Sequence, residues 1–288
     1  MPETTFGLDD AALVALPLGF EPGLLDGQVV LVSGAGSGIG KAIAFLCARL
    51  GARLVVCGRD PVKLAACETW LRRLGSPDVL VQPTDIRDGA SVAALLDATW
   101  QKFGRLDVQV NNAGGQFPKA ALDISPKGWK AVIDNNLNGT WRMMHAAAQR
   151  WRDTGQGGNI VNIVLTFQRG YPGVAHSCAA RAAVTYLSKT VAVEWSQYGV
   201  RVNCVAPGSI ESTGFAHYSP EARQQFARSN PMLKVGSVQD IAYAVAYLAG
   251  PTGRFVNGEV LNVDGGGLLW GDLWTIPKPA YFTSEHAA

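Results

Sequence analysis

Glycines carry the first readable chemistry in this chain. In Gly34-Ala35-Gly36-Ser37-Gly38-Ile39-Gly40, the residues Gly34, Gly38 and Gly40 are spaced GxxxGxG, not the GxGxxG of the commoner dinucleotide fingerprint. Glycines let a backbone turn sharply and approach a pyrophosphate closely. A helix beginning at such a turn offers unpartnered N–H groups and a positive dipole end, which together favour a bound diphosphate. Glycines also serve ordinary tight turns, so the flanking elements decide the reading. Gln28 to Ser33 is a short, nearly continuous apolar run with β-branched residues, and Lys41 to Leu50 repeats apolar residues at helical spacing. Strand, glycine turn, helix is the opening of a dinucleotide-binding unit.

The same alternation runs through the chain. Arg53 to Cys57 reads as a second strand, and Asp60-Pro61 then supplies an N-cap and a first-turn proline for a helix to Leu74. Strands are expected at Val79–Gln82, Asp107–Val110, Asn159–Leu165, Val200–Val205 and Glu259–Val263. Between them, helices are expected at Ser91–Phe103, Ser125–Trp151, Ala175–Tyr198 and Val238–Ala249. Ser209 to Ser237 is irregular and longer than a connector usually is. This pattern predicts a single doubly wound, Rossmann-type α/β domain, with a parallel sheet of about seven strands and helices on both faces. The expected division is an N-terminal arm over 1–26, a dinucleotide-binding and catalytic domain over 27–267 with a substrate lid at 212–235, and a tail over 268–288. Ligands of such folds bind beyond the strand carboxyl ends. Those ends carry Gly34–Gly40, Cys57–Arg59, Asp85, Asn111–Gly115, Thr166 and Pro207–Ser212, so most of the unusual residues point at one crevice.

Composition narrows the class. The 288 residues are 48% apolar and 17% charged, values of a globular chain that can bury a sizeable core. A formal charge of +2 is too balanced for a nucleic-acid or polyanion partner. No apolar run approaches the roughly 20 residues of a membrane span, and the first residues carry Glu3, Asp9 and Asp10, not the positive region of a signal peptide. Five scattered cysteines (Cys47, Cys57, Cys67, Cys178, Cys204) lack CxxC or Cys/His ligand spacing, so buried reduced thiols and no metal are expected. A cytoplasmic enzyme is the default.

Five motifs then make the reading specific: Ser33-Gly34-x3-Gly38-Ile39-Gly40, Asn111-Asn112-Ala113-Gly114, Asn136-Leu137-x-Gly139-Thr140, Arg201-Val202-Asn203 and Ala206-Pro207-Gly208. In order and spacing they resemble the short-chain dehydrogenase/reductase family from about residue 24 to 266. The resemblance implies hydride transfer with a nicotinamide cofactor, and usually a homotetramer or homodimer. It places Gly34, Ser37, Gly38, Ile39 and Gly40 at the pyrophosphate, Asp85 and Ile86 at the adenine, and Asn112, Ala113 and Gly114 beside the cofactor. Pro207, Gly208, Ile210 and Ser212 fall in the segment that meets the nicotinamide amide. NAD-preferring enzymes of this architecture commonly end the second strand with a carboxylate that bonds the ribose hydroxyls. Here Cys57-Gly58 stands there with Arg59 next, and a guanidinium can grip a 2′-phosphate. NADP(H) is therefore preferred, with NAD(H) possible. Alternatives for single residues are that Arg59 is merely solvated and that Asp85 caps the next helix.

The catalytic pattern departs from the family. Members usually carry a Ser about a dozen residues before Tyr-x-x-x-Lys, and the Lys lowers the Tyr pKa and holds the nicotinamide ribose. Aligned on Ala182-Ala183-Val184, the Tyr position is Ser177, the Lys position is Arg181, and the Ser position falls on Val164-Leu165. A serine hydroxyl is a far weaker acid than a phenol of pKa about 10, and arginine keeps its proton. Val174–Ala182, Pro22–Val29 and Gly114-Gly115-Gln116-Phe117 look like the trans-2-enoyl-CoA reductases and, more distantly, the 2,4-dienoyl-CoA reductases. That chemistry adds hydride to a conjugated thioester and needs donors for the oxygen that gains charge. Ser177, Thr166, Tyr171, His176 and a water held by the Asn136 carbonyl are the candidates, with Arg181 also at the ribose; dienoyl-CoA reductases place a tyrosine where Thr166 stands. A mid-helix Asn136 costs helix propensity, which suggests a special role.

A reductase of conjugated acyl thioesters, possible acyl-CoA substrates included, leads this reading. The alternatives are a dehydrogenase of an aliphatic or acyclic terpenoid alcohol or aldehyde, and a cofactor-binding member with little catalysis. In the lid, Arg223, Arg228 and Lys234 are placed to meet a CoA phosphate. Trp270, Trp274, Tyr281 and Phe282 in the tail are expected to pack on a neighbouring subunit, or else on their own body. The final Glu285-His286-Ala287-Ala288 is not the peroxisomal signal of the resembling eukaryotic enzymes.

Overall fold

The computed structural model describes residues 6–279. A short helix α1 (Asp10–Ala15), N-capped by Asp9, precedes the sheet. Then β1 (Val29–Ser33) leads through the glycine turn into α2 (Gly38–Arg49), followed by β2 (Arg53–Gly58), α3 (Pro61–Arg73), β3 (Val79–Pro83), α4 (Gly89–Phe103) and β4 (Val108–Asn111). The second half runs α5 (Pro126–Ile133), α6 (Gly139–Thr154), β5 (Gly158–Ile163), α7 (Ala175–Glu194), β6 (Val200–Pro207), β7 (Ile210–Glu211), α8 (Pro220–Gln225), β8 (Gly236–Ser237), α9 (Val238–Ala249) and β9 (Val260–Val263).

Seven strands form one parallel sheet in the order β3-β2-β1-β4-β5-β6-β9, and β7 pairs with β8 beside it. All five residues of β1 are buried, as a strand covered on both faces requires. Successive side chains then serve opposite layers. Val30 and Val32 pack with Ile43 of α2 and Ile241 of α9, while Val29 and Leu31 pack with Leu95 of α4, Met144 of α6 and Val191 of α7. The chain is thus a doubly wound α/β domain. It winds outward from β1 to β3 and returns at β4 on the other side of β1, so the crevice of the switch point opens above those two strands.

Local signals account for most boundaries. Asp60 caps α3 by accepting from the Val62 and Lys63 amides, with Pro61 in the first turn, and Ser237 with Asp240 forms a capping box on α9. The long helix expected over Ser125–Trp151 instead contains a π-helical turn, Asp134–Asn138, between α5 and α6. Three asparagines there are poor helix formers, and the widened turn frees the Asn136 side chain to bond outside the helix. Strand β5 stops at Ile163, short of the expected Leu165, and the helix expected to Tyr198 ends at Glu194 before a 3-10 turn.

The described parts of both terminal segments lie on this body. Leu13 and Leu25 are buried in the α2/α9 layer, Lys41 pairs with Asp10 at 2.7 Å, and Arg49 Nη1 donates to the Leu16 carbonyl at 2.8 Å. The stretch expected to form the lid is short helix and 3-10 turn, Thr213–His217, α8 and Phe226–Ser229. Its buried Phe215 and Phe226 pack with Phe6 from one end of the chain and Leu273 from the other. In the tail, Thr275 donates from its backbone and its hydroxyl to the Pro172 carbonyl, whereas Trp270 is 74% exposed. Tyr281, Phe282 and residues 285–288 lie outside the described residues.

Candidate active site

The glycine turn is shaped by its neighbour as much as by any ligand. Ser33 Oγ accepts from the Asn112 and Ala113 amides, both at 3.0 Å, and Asn112 Nδ2 donates to the Ser33 carbonyl at 3.0 Å. These bonds bring the end of β4 against the turn. A Cβ at Gly40 would lie 2.4 Å from both Asn112 Nδ2 and the Gly34 carbonyl oxygen, and Gly34 has a φ of +69°. No side chain fits at either place. Ser37 is the N-cap of α2 yet makes no capping bond, so its hydroxyl and the first amides of α2 face the crevice uncommitted.

Two cavities share this wall. One of about 780 Å³ runs past Gly34, Arg59, Asp85 and Ile86; the other, about 810 Å³, runs past Asn136, Tyr171, Arg181, Pro207, Gly208 and Ile210. Ser37, Ile39, Asn112, Gly114 and Ser212 line both, so they form one continuous crevice along the carboxyl edge of the sheet. An elongated slot with a helix N-terminus at its middle fits a dinucleotide. Arg59 is exposed and makes no ion pair with a described residue. Asp85 does not cap α4; Asp88 does, and the Arg87 guanidinium beside Asp85 holds its carboxyl down at about 2, with Arg59 adding a smaller pull. Ile86 is buried against Gly139 of α6.

At the other end, the structure brings Asn136 and Arg181 together. The Asn136 side chain clamps the backbone of Gly115, accepting from its N–H and donating to its carbonyl, each at 2.9 Å. Its own carbonyl accepts from Thr140 Oγ1 at 3.0 Å and from Arg181 Nη1 at 3.5 Å. Arg181 is buried, and desolvation pulls its guanidinium down to about 10, still charged near neutrality. A Cβ at Gly114 would fall 2.2 Å from Arg181 Nη2, so this glycine is the space in which the guanidinium sits.

The remaining candidates are not equivalent. Ser177 and His176 are buried without lining the cavity, and Ser177 Oγ and His176 Nε2 have no hydrogen-bond partner among the described residues. His176 accepts from the Ser177 amide at Nδ1, packs edge-on against Phe117, and is pushed by burial below the usual histidine range. Thr166 donates to the Pro207 carbonyl at 3.0 Å and faces an adjoining recess of about 310 Å³ closed by the tail residues Leu273 and Trp274. Tyr171 lines both this recess and the main cavity, and burial pushes its phenol up, with Tyr218 adding to the shift. Arg223 is stacked on Phe6, 4.3 Å from the ring centroid. Gln116 and Tyr218 were not among the sequence candidates, yet Gln116 Nε2 donates to the Tyr218 oxygen at 2.6 Å inside the cavity. Gln116 follows a recognisable motif; Tyr218 sits in a lid without periodicity and carries no such signal. All five cysteines are free, and four of them are buried. Among the described residues, no three His, Cys, Asp or Glu side chains gather as metal ligands, and no helix is long and apolar enough to cross a membrane.

Known proteins match both sequence and fold. A family model described as Enoyl-(Acyl carrier protein) reductase matches residues 34–267. The peroxisomal 2,4-dienoyl-CoA reductase ((3E)-enoyl-CoA-producing) of Arabidopsis thaliana is 37% identical over 277 residues, 92% of this chain and 90% of the relative. The citronellol catabolism dehydrogenase of Pseudomonas aeruginosa PAO1 superposes with a TM-score of 0.77 at 35% identity, covering 87% of this chain and 98% of that one. A short-chain type dehydrogenase/reductase from Mycobacterium marinum superposes at 0.80 with 29% identity, covering 84% and 96%. Glycine crevice, strand order and these matches agree: the chain belongs to the short-chain dehydrogenase/reductase family and is an oxidoreductase working with a nicotinamide cofactor.

Proposed function

We propose that this protein is an NADP(H)-dependent reductase of conjugated, enoyl-CoA-type thioesters. The observation that carries the reading is the pair Ser177 and Arg181, standing where alcohol-oxidising members keep tyrosine and lysine, with Arg181 buried, charged and bonded to Asn136. An arginine holds a ribose hydroxyl but passes no proton, so the pocket favours a reaction whose main demand is stabilising charge on an oxygen. The dienoyl-CoA reductase named above supports the same substrate class.

In this reading the bound cofactor supplies hydride to the β-carbon of the thioester. Ser37, Gly38, Ile39 and the Gly34–Gly40 turn hold the diphosphate by backbone N–H groups, Arg59 takes the 2′-phosphate, and Asp85 and Ile86 flank the adenine. Asn112, Ala113 and Gly114 support the ribose side, Arg181 bonds the nicotinamide ribose, and Pro207, Gly208, Ile210 and Ser212 meet the carboxamide. Asn136 fixes Gly115 and Arg181. Ser177, Tyr171, Thr166 and His176 remain proton or hydrogen-bond donor candidates, of which Tyr171 alone lines the main cavity. The stacked Trp141 and Trp195, with exposed Tyr186 and Val193, support assembly as a homodimer or homotetramer. The compartment proposed is the cytoplasm.

The test is a 340 nm assay with NADPH or NADH, pairing each with crotonyl-CoA, longer enoyl-CoAs and 2,4-hexadienoyl-CoA, and NAD(P) with branched alcohols. Consumption of NADPH with the thioesters is expected. Turnover of alcohols alone would give the assignment to the second reading, a dehydrogenase of an acyclic terpenoid alcohol, which the likeness to the citronellol catabolism enzyme favours.

A further inference from the structure

The cavity holding Asn136 and Arg181 also contains two phenols, those of Tyr171 and Tyr218, and neither belongs to a Tyr-x-x-x-Lys pattern. Tyr218 follows the 3-10 turn Thr213–His217 of the lid, and its ring stands edge-on to Phe226 with centroids 5.2 Å apart. Gln116, on the loop leaving β4, donates to the Tyr218 oxygen at 2.6 Å. That bond ties the lid to the sheet edge. It occupies a lone pair of the phenol oxygen and leaves the O–H without an acceptor among the described residues. Tyr171 differs, because it also lines the adjoining recess closed by Leu273 and Trp274.

We propose that Tyr218 is a catalytic residue, donating a hydrogen bond to the carbonyl oxygen of the conjugated thioester, with Gln116 as its positioning residue. The inference rests on the thioester reading above. As hydride adds to the β-carbon, the alkene pair shifts toward the carbonyl and negative charge collects on its oxygen. A donor aimed at that oxygen stabilises the transition state more than the ground state. Tyr218 keeps its proton throughout; the proton that completes the reduction adds to the α-carbon from solvent, and the nicotinamide is oxidised by two electrons as the double bond is reduced. Burial pushes the Tyr218 phenol up, against a smaller opposing effect of Gln116, which suits a donor and not a base. Because this donor rides on the lid, the constellation is complete only when the lid is shut.

The experiment compares wild type, Tyr218→Phe, Gln116→Leu, the double variant and Tyr171→Phe, using NADPH with 2,4-hexadienoyl-CoA and crotonyl-CoA. NADPH affinity is read from its fluorescence and folding from circular dichroism. Tyr218→Phe is expected to lower kcat roughly 10- to 100-fold, in line with loss of an oxyanion donor, with NADPH affinity within about twofold of wild type. Gln116→Leu should lower kcat about 5-fold, and the double variant should be no worse than Tyr218→Phe, a non-additivity that general structural damage does not produce. Wild-type turnover with Tyr218→Phe within about twofold overturns the Tyr218 assignment alone, as does a larger loss in Tyr171→Phe. Wild-type inactivity on every conjugated thioester overturns the substrate reading and this proposal with it.

Discussion

Individual side chains carry the cofactor and proton questions. Arg59 makes no ion pair with a described residue at the mouth of the adenosine end of the crevice, and the proposed function assigns it a 2′-phosphate as counterion. Hydrogen bonds to charged groups contribute about 1.5–3 kcal/mol, equivalent to roughly 10- to 100-fold in affinity. Arg59→Ala should therefore raise the KM for NADPH at least about tenfold and leave that for NADH within about twofold; equal effects on both would dismiss the phosphate role. His176 makes a different demand. Burial keeps its folded pKa below the ordinary value of about 6.5, while the unfolded chain titrates at that value. As pH drops below about 6.5 the unfolded state takes a proton that the folded state refuses, so stability falls, by at most about 1.4 kcal/mol per pH unit. Thermal melts of His176→Gln between pH 7 and 5 should lose this part of the slope; an unchanged slope would mean that His176 titrates alike in both states. Ser177 and Arg181 could be proposed from sequence because they occupy fixed places in a motif, and of the two Arg181 lines the cavity. Gln116 and Tyr218, 102 residues apart, meet only through folding of an irregular lid, and no spacing announces such a meeting.

Elements explain where local reading succeeded and where it stopped. Strands buried on both faces, such as Val29–Ser33, and capped helices such as Pro61–Arg73 were legible because apolar runs, Asp-Pro pairs and glycines act within a few residues. The π-helical turn was not, because its widening is stabilised by a bond to Gly115, 21 residues earlier. Sequence still marked the place, since Asn136 is a poor helix former in a helical stretch. Asn136→Ala removes both partners of the Gly115 backbone. Gly115 is exposed, so water can take over part of this bonding, and the loss should be about 1–2 kcal/mol, to be read from denaturant melts, with Arg181 losing its fixed seat as well. A loss under about 0.5 kcal/mol would show that the turn holds itself.

At the scale of the whole molecule, Phe6 and Gly7 on one side and Leu273 on the other converge on the segment proposed as the lid. Phe6 stacks under Arg223 and lies 6.3 Å from Phe215, and the Gly7 amide donates to Glu211 at 3.4 Å. Leu273 packs on the same cluster from the tail. Lid stability is therefore shared with segments distant from the crevice, and such contacts are beyond the reach of a reading that treats residues 1–26 as an arm without chemistry. Phe6→Ala should leave the melting temperature nearly unchanged, raise the KM for the acyl substrate several-fold and speed tryptic cleavage at Arg223 and Arg228. Cleavage at the wild-type rate would mean that the lid is held without this strap.

That strap gives an observer access to the lid's motion. Leu8, 41% exposed, follows the residues that touch the lid, while burial pushes the thiols of Cys47, Cys57 and Cys67 up to about 12 and that of Cys204 to about 11. With Cys178 replaced by serine, a Leu8→Cys variant offers a single reactive thiol for a fluorophore. Its emission would then record each opening and closing in real time, from a position well away from the reacting atoms.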